Sequence, residues 1–125
     1  MIDHISVPVR NLAASTRFYG AVLGALGFTQ LETRPATVGY GKKYPEFWIN
    51  LRDRLEPAPA SSGAHVCLRA SSKEMVDAFH QVAVGHGGGS EGAPGLRPAH
   101  GEGYYAAFIR DPDGNRIEAV TFVTK

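Results

Sequence analysis

The stretch His4-Ile5-Ser6-Val7 has a counterpart 61 positions later in His65-Val66-Cys67-Leu68, and this repetition is the main indication of the fold. Three further pairs obey the same shift: Phe18 and Phe79, Gly24 and Gly85, Gly27 and Gly88. Self-similarity at a fixed offset is the mark of an internal duplication. We therefore expect two copies of one structural unit, with the functional site where the copies meet.

The first copy begins with an alternating pattern and continues with a helical one. Apolar residues at positions 5, 7 and 9 share one face of a predicted strand, so His4 points away from the core. Asn11 is the predicted N-cap of a helix that starts at Leu12 and stops at Gly24 and Gly27. Strands are predicted over 28–34, 36–41 and 46–52. The first copy is therefore expected to be β-α-β-β-β.

A segment rich in proline and serine separates the copies. Residues 57–63 read PAPASSG, a composition that continues neither a strand nor a helix. We predict one domain over 1–125, with a first module of about 1–56, this linker, and a second module of about 64–125. A chain of 125 residues is long enough to bury a core of its own.

The second copy repeats the pattern, but the strand signal after its helix is weaker than in the first copy. Its strand starts at Ala64, and Ser71 with Glu74 suggests a capping box for the helix that follows. The glycine-rich residues 87–103 predict a loop around one short strand. Residues 104–110 and 115–123 then predict a hairpin around an Asp-Pro-Asp-Gly turn.

Composition excludes several classes of function. A formal net charge of +1 gives no reason to expect nucleic acid as a partner. No stretch approaches the roughly 18 apolar residues of a membrane span. The one cysteine, Cys67, has no intramolecular partner for a disulfide, which agrees with a reducing compartment. We predict a cytoplasmic protein that binds a small molecule, with neither nucleic acid nor membrane as a partner.

Three side chains have the chemistry of a metal centre. His4, His65 and Glu118 each lie on the strand face opposite an apolar stripe. Two imidazoles and one carboxylate suit a divalent ion such as Zn, Ni, Mn or Fe(II), and they leave coordination positions open for water or substrate. Open sites are typical of catalytic rather than structural metals. Taken singly, each residue is more often a structural or solvated side chain.

Several motifs together resemble a known family. The matching pieces are Asp3-His4-Ile5-Ser6-Val7, Phe18-Tyr19, His65-Val66 and the stretch from Phe108 to Glu118. They are similar to the vicinal-oxygen-chelate superfamily, which includes glyoxalase I, bleomycin-resistance proteins, fosfomycin-resistance transferases and extradiol dioxygenases. The resemblance implies an α+β fold in which two βαβββ modules form a curled sheet around a cleft. It also implies that His4, His65 and Glu118 occupy metal-ligand positions.

One position departs from the glyoxalase I pattern. Aligning Ile49 with Ile117 puts Asn50 opposite Glu118, where the resemblance implies a second carboxylate. An amide has no useful basicity, so Asn50 cannot act as a general base, and no catalytic residue is assigned. Phe108 offers no hydroxyl to a phosphonate, which disfavours a fosfomycin-like substrate.

Strand parity predicts the residues that face the cleft. An aromatic residue there would contact an apolar substrate body, and an arginine could hold an anionic end. Cys67 shares the His65 face, where a buried filler is the ordinary role and a ligand or nucleophile the alternative. His80, His86 and His100 are expected at the surface. The predicted substrate-binding residues are Trp48, Asn50, Arg52, Arg69, Tyr104 and Phe108.

These observations favour a small metal-dependent lyase, isomerase or transferase that chelates two adjacent oxygens of its substrate. The resemblance makes dioxygenase chemistry a weaker candidate, since that branch carries further histidine and tyrosine residues around its Fe(II) site, and this chain shows no clear equivalents of them. Two alternatives stay open: a ligand-sequestering protein of the bleomycin-resistance type, and a member without activity. We also expect a homodimer, in which modules pair either within one chain or between two.

Overall fold

The computed structural model describes residues 1–123 as two four-stranded sheets, each with one long helix. The first module contains β1 (Ile5–Val9), α1 (Leu12–Gly24), β2 (Thr29–Thr33), β3 (Thr37–Gly41) and β4 (Pro45–Leu51). The second contains β5 (Val66–Arg69), α2 (Lys73–Gly85), β6 (Gly89–Leu96), a 3₁₀ turn (Pro98–His100), β7 (Tyr104–Arg110) and β8 (Arg116–Phe122). The predicted α+β fold of two βαβββ modules is confirmed.

Both sheets have the same strand order. The first is β1-β4-β3-β2 and the second is β5-β8-β7-β6. In each, the first strand pairs in parallel with the last, and the other neighbours are antiparallel. A parallel pair needs a long crossover connection, and the helix near the start of each module belongs to that crossover. In this strand order, β1 and β5 each lie at one edge of their sheet.

The helices cover one face of the sheets, and a single hydrophobic core joins the two modules. Phe47 and Ile49 from β4 and Ile109 and Ile117 from the second sheet are at most 1% exposed. Their neighbours along each strand point to the opposite face, as strand geometry requires. The predicted apolar stripes are confirmed, and each sheet keeps a second face for function.

The Asp-Pro-Asp-Gly turn between β7 and β8 ties the second module to the first. Asp113 accepts hydrogen bonds from the backbone nitrogen and the Nε of Arg10, at 3.1 and 3.0 Å. Asp111 accepts one from the hydroxyl of Tyr19 at 2.5 Å. Asn115 donates through Nδ2 to Asp111 and to a backbone carbonyl of β1. These contacts hold the end of β1 against the start of β8.

Two local predictions are wrong. The helix cap is Ser72 rather than Ser71, because the Ser72 side chain accepts from the backbone nitrogen of Met75. Residues 89–96 form β6, the longest strand of the structure, where only one short strand in a loop was predicted. Pairing with β7 supplies the stability that a glycine-rich segment lacks by propensity.

Candidate functional site

The open face of the second sheet carries most of the predicted site. Cys67, Glu118 and Phe108 are direct neighbours across β5, β8 and β7. They point away from α2, because they alternate with the core residues of the same strands. Two residues further along β5, Arg69 pairs with Val120 and lies on the same face. This arrangement groups polar and aromatic side chains on one surface.

Glu118 is the centre of this face. It is only 3% exposed, and His65 Nε2 lies 3.1 Å from its Oε1. The hydroxyl of Tyr104 donates to its other oxygen, Oε2. Both carboxylate oxygens are therefore engaged, and the side chain is fixed against the sheet.

Two neighbours of Glu118, Tyr104 and Cys67, have raised pKa values and keep their protons at neutral pH. Burial and the hydrogen bond to Glu118 raise the pKa of Tyr104, so its hydroxyl stays a donor. Burial, followed by the negative charge of Glu118, raises the pKa of Cys67 to about 11. A thiol is nucleophilic as its thiolate. Cys67 is therefore a neutral thiol in this site.

The open face of the first sheet forms a separate cavity of about 530 Å³. Trp48 and Asn50 line it together with His4. Trp48 lies across Gly39, where a Cβ would stand 2.9 Å from the indole ring, so the ring needs a glycine beneath it. The guanidinium of Arg34 stacks 5.0 Å from the centre of the Trp48 ring.

Strand register corrects the predicted equivalence between the modules. In the first sheet Ser6 pairs with Trp48, and in the second Cys67 pairs with Glu118. Ser6 and Cys67 are the repeat-related pair, so Trp48 occupies the position that corresponds to Glu118. The predicted alignment of Asn50 with Glu118 is therefore wrong. Asn50 lies two residues further along the same face, where it bonds the Thr37 hydroxyl. Neither an indole nor an amide can serve as a base.

His4 lies apart from the other two predicted ligands. Its Nδ1 is 2.7 Å from Asp3 Oδ1, and its side chain is 54% exposed. His4 and His65 line one cavity of about 320 Å³ between the modules. Within residues 1–123, however, no three His, Cys, Asp or Glu side chains come close enough to hold a metal ion.

The distance between two of these donor atoms is that of a hydrogen bond and is also compatible with two ligands of one metal ion. Two ligand atoms bound at about 2.1 Å and about 90–110° apart stand roughly 3.0–3.4 Å from one another. The 3.1 Å between His65 Nε2 and Glu118 Oε1 lies in that range. The Asp3–His4 pair has the form in which a carboxylate orients a ligating imidazole. The single chain thus brings two of the three predicted ligands, His65 and Glu118, into contact, and His4 lies across a cavity from them.

The remaining predicted residues divide between the site and the surface. Tyr104 and Phe108 lie on the face of Glu118, as does Arg69, whose guanidinium is 4.7 Å from the centre of the Phe122 ring. Arg52 follows the end of β4, is exposed, and bonds the carbonyl of Leu51. His100 stacks on Tyr104 at the rim of the face.

Sequence reasoning missed Arg97. Its guanidinium lies over the open face of the second sheet, 5.5 Å from the centre of the Phe108 ring. No sequence signal marked it, because Arg97 lies in a glycine-rich segment for which only a loop with one short strand was predicted. Arg34, which contacts Trp48, was also missed. It directly follows the end of β2, where the alternation of a strand no longer predicts the direction of a side chain.

Comparisons with known proteins agree with this architecture. A family model described as the Glyoxalase/Bleomycin resistance protein/Dioxygenase superfamily matches residues 1–119. The crystal structure of a glyoxalase/bleomycin resistance protein from Albidiferax ferrireducens is 36% identical, covers 94% of this chain and 96% of its own, and superposes with a TM-score of 0.82.

Curated relatives span nearly the whole chain. The virulence protein STM3117 of Salmonella typhimurium is 31% identical over 98% of this chain and 84% of its own length. The uncharacterized protein YqjT of Bacillus subtilis is 28% identical over 95% of this chain and 97% of its own. The similarity to both relatives therefore extends over both modules of this chain.

Proposed function

Because this chain belongs to the glyoxalase/bleomycin resistance protein/dioxygenase superfamily, we propose that it is a small metal-dependent lyase, isomerase or transferase. Its substrate is a small molecule with two adjacent oxygens. The observation that carries the proposal is the contact between His65 Nε2 and Glu118 Oε1, whose separation of 3.1 Å is one that two ligands of a shared ion also show.

His65, Glu118 and His4 would hold the ion. A divalent ion in an open site polarises a substrate oxygen and stabilises negative charge that develops on it. The Asp3 carboxylate orients the His4 ring and leaves Nε2 free for coordination. His4 would complete the set either from its own chain, across the cavity between the modules, or from a second copy.

The surrounding side chains position ligand and substrate. Tyr104, held in its protonated form, donates to one oxygen of Glu118 and so leaves the other for coordination. In the separate cavity of the first sheet, Trp48 supplies a flat apolar wall beside His4, and Arg34 packs against its ring. The absence of a basic side chain at the Trp48 position favours reactions in which substrate or solvent carries the proton.

Metal content tests the proposal directly. We expect one bound ion per site after purification without added metal, and a loss of affinity by orders of magnitude in His65→Ala and Glu118→Ala. His86→Ala is the matched control, because this histidine is exposed and bonds only a backbone carbonyl of α2. A wild-type protein that stays metal-free after dialysis against Zn, Ni, Mn and Fe(II) would contradict the proposal.

One observation favours a second candidate, a metal-free binding protein of the sequestering kind. Both oxygens of Glu118 already have protein partners in His65 and Tyr104. The indole of Trp48 also suits the stacking of an aromatic or cationic compound. This candidate predicts that such a ligand binds with the same affinity before and after treatment with a chelator, whereas the leading proposal predicts that chelation weakens binding.

Homodimerisation and a cytoplasmic location belong to the same proposal. Both sheets end in short edge strands, β1 and β5, and expose large apolar side chains such as Tyr44 and Phe122. A second copy is the usual means of covering such edges and faces. In the described part of the chain, no helix has the length and apolar character needed to cross a membrane.

A further inference from the structure

The open face of the second sheet holds two arginines that lack an acidic partner. Arg10, Arg34, Arg110 and Arg116 each lie within 4.0 Å of a carboxylate. Within residues 1–123, Arg69 and Arg97 have no such neighbour. Two guanidinium groups therefore flank the Glu118 face without an ion pair to any carboxylate of the described residues.

The side chain of Arg97 packs closely over two glycines of β6, Gly92 and Gly95. A Cβ at Gly92 would stand 3.2 Å from its Nη2, and a Cβ at Gly95 would stand 3.1 Å from its Nη1. Nη2 donates to the carbonyl of Ala93 at 2.6 Å, and the guanidinium lies 5.5 Å from the centre of the Phe108 ring. The two glycines thus allow the side chain to fold back across β6 onto the open face.

The position of Gly92 in the sheet gives the distance between the Arg97 guanidinium and the proposed metal centre. Gly92 pairs with Phe108, and Phe108 pairs with Glu118, so the three occupy one row across adjacent strands. Neighbouring strands are about 4.8 Å apart, which puts the guanidinium about 10 Å from the Glu118 position. A ligand about one substituted ring long would span this distance while lying over Phe108.

We propose that Arg97 is the specificity-determining residue that receives the anionic end of the substrate. This inference rests on the proposed function, since it takes the other end of the substrate to bind at His65 and Glu118. The substrate class is a small, planar carboxylate with two adjacent oxygens at its far end. A guanidinium binds a carboxylate through two parallel hydrogen bonds. Nη2 of Arg97 uses one of its two protons in the bond to the Ala93 carbonyl, so its second proton remains to form such a pair together with Nη1 or Nε.

Binding of a matched pair of probes tests the assignment. Protocatechuate, a catechol with a carboxylate, and its neutral amide have the same shape and the same adjacent oxygens. In calorimetry with metal-loaded protein, we expect the acid to bind about tenfold or more tightly than the amide. Arg97→Gln should abolish this preference and leave the affinity for the amide unchanged, and Arg97→Lys should restore part of it.

Two further variants separate the possible outcomes. Arg17→Gln, an exposed arginine of α1, is the control and should keep the full preference. The proposal is overturned if Arg69→Gln rather than Arg97→Gln removes the preference, or if wild-type protein binds acid and amide equally. Metal content is measured on every variant, so a protein that binds metal but shows no charge preference refutes the role of Arg97 alone. A protein without metal and without binding refutes both proposals.

Discussion

Replacing Tyr19 by phenylalanine should lower the free energy of unfolding by about 2 kcal/mol at neutral pH, because hydrogen bonds to buried charged groups contribute about 1.5–3 kcal/mol. Tyr19 is fully buried, Asp111 is 3% exposed, and the hydroxyl reaches the carboxylate at 2.5 Å. The substitution leaves the ring in place, so cavity formation adds little. Asp111 keeps three other donors, from Asp113 and Asn115, which limits the loss.

Tyr40→Phe is the matched control. Tyr40 is 1% exposed, and its hydroxyl donates to the neutral backbone carbonyl of Thr16 at 3.0 Å. A neutral hydrogen bond contributes about 1 kcal/mol, so the control should cost about half as much. In a domain of this size, 2 kcal/mol corresponds to a fall in Tm of about 8 °C.

The pH dependence distinguishes a bond to a charge from a simple packing effect. Burial raises the pKa of Asp111 above its ordinary value of 3.8, and the hydrogen bonds from Tyr19 and Asn115 act in the opposite direction. The folded state therefore binds this proton more tightly than the unfolded state does. Its contribution to stability falls as pH rises through the raised pKa and recovers as pH falls through it. Tyr19→Phe raises that pKa further, so its destabilisation should shrink in acid.

Urea denaturation at about pH 7 and about pH 4.5 measures both effects, with protein concentration held fixed in case a dimer contributes. We expect the cost of Tyr19→Phe to decrease at the lower pH and the cost of Tyr40→Phe to stay constant. The reasoning is refuted if the two substitutions cost the same at neutral pH, or if the cost of Tyr19→Phe grows in acid.

Two further predictions concern the site and the assembly. The protein should be a poor glyoxalase I, since Trp48 and Asn50 offer no base in the first module; turnover of the hemithioacetal of methylglyoxal and glutathione at roughly 10 per second or more would show that another base acts. The protein should also be a homodimer by light scattering at micromolar concentration, and a monomer there would contradict this. Mixing His4→Ala with Glu118→Ala locates the ligands, because intact metal sites form in the mixture only if the two residues come from different chains.

The sequence alone was sufficient for the architecture. A histidine-led strand repeated at a constant offset, the alternation at positions 5, 7 and 9, and the Asp-Pro-Asp-Gly turn predicted two βαβββ modules, which the structure has. These signals are local, because side-chain direction in a strand depends only on a two-residue period. For the same reason, the faces of His65, Trp48 and Glu118 were predictable.

Only the tertiary structure decided which residues stand opposite one another. A shift of two residues along a strand preserves the face, so parity could not tell Asn50 from Trp48 as the counterpart of Glu118; pairing with β1 decided it. The strand β6 and the position of Arg97 above its glycines depend on contacts with β7, which a glycine-rich sequence does not predict. The contact of His65 with Glu118, and the separation of His4 from both, likewise arise from packing between distant segments. Such relations are set by the core as a whole, and no local pattern encodes them.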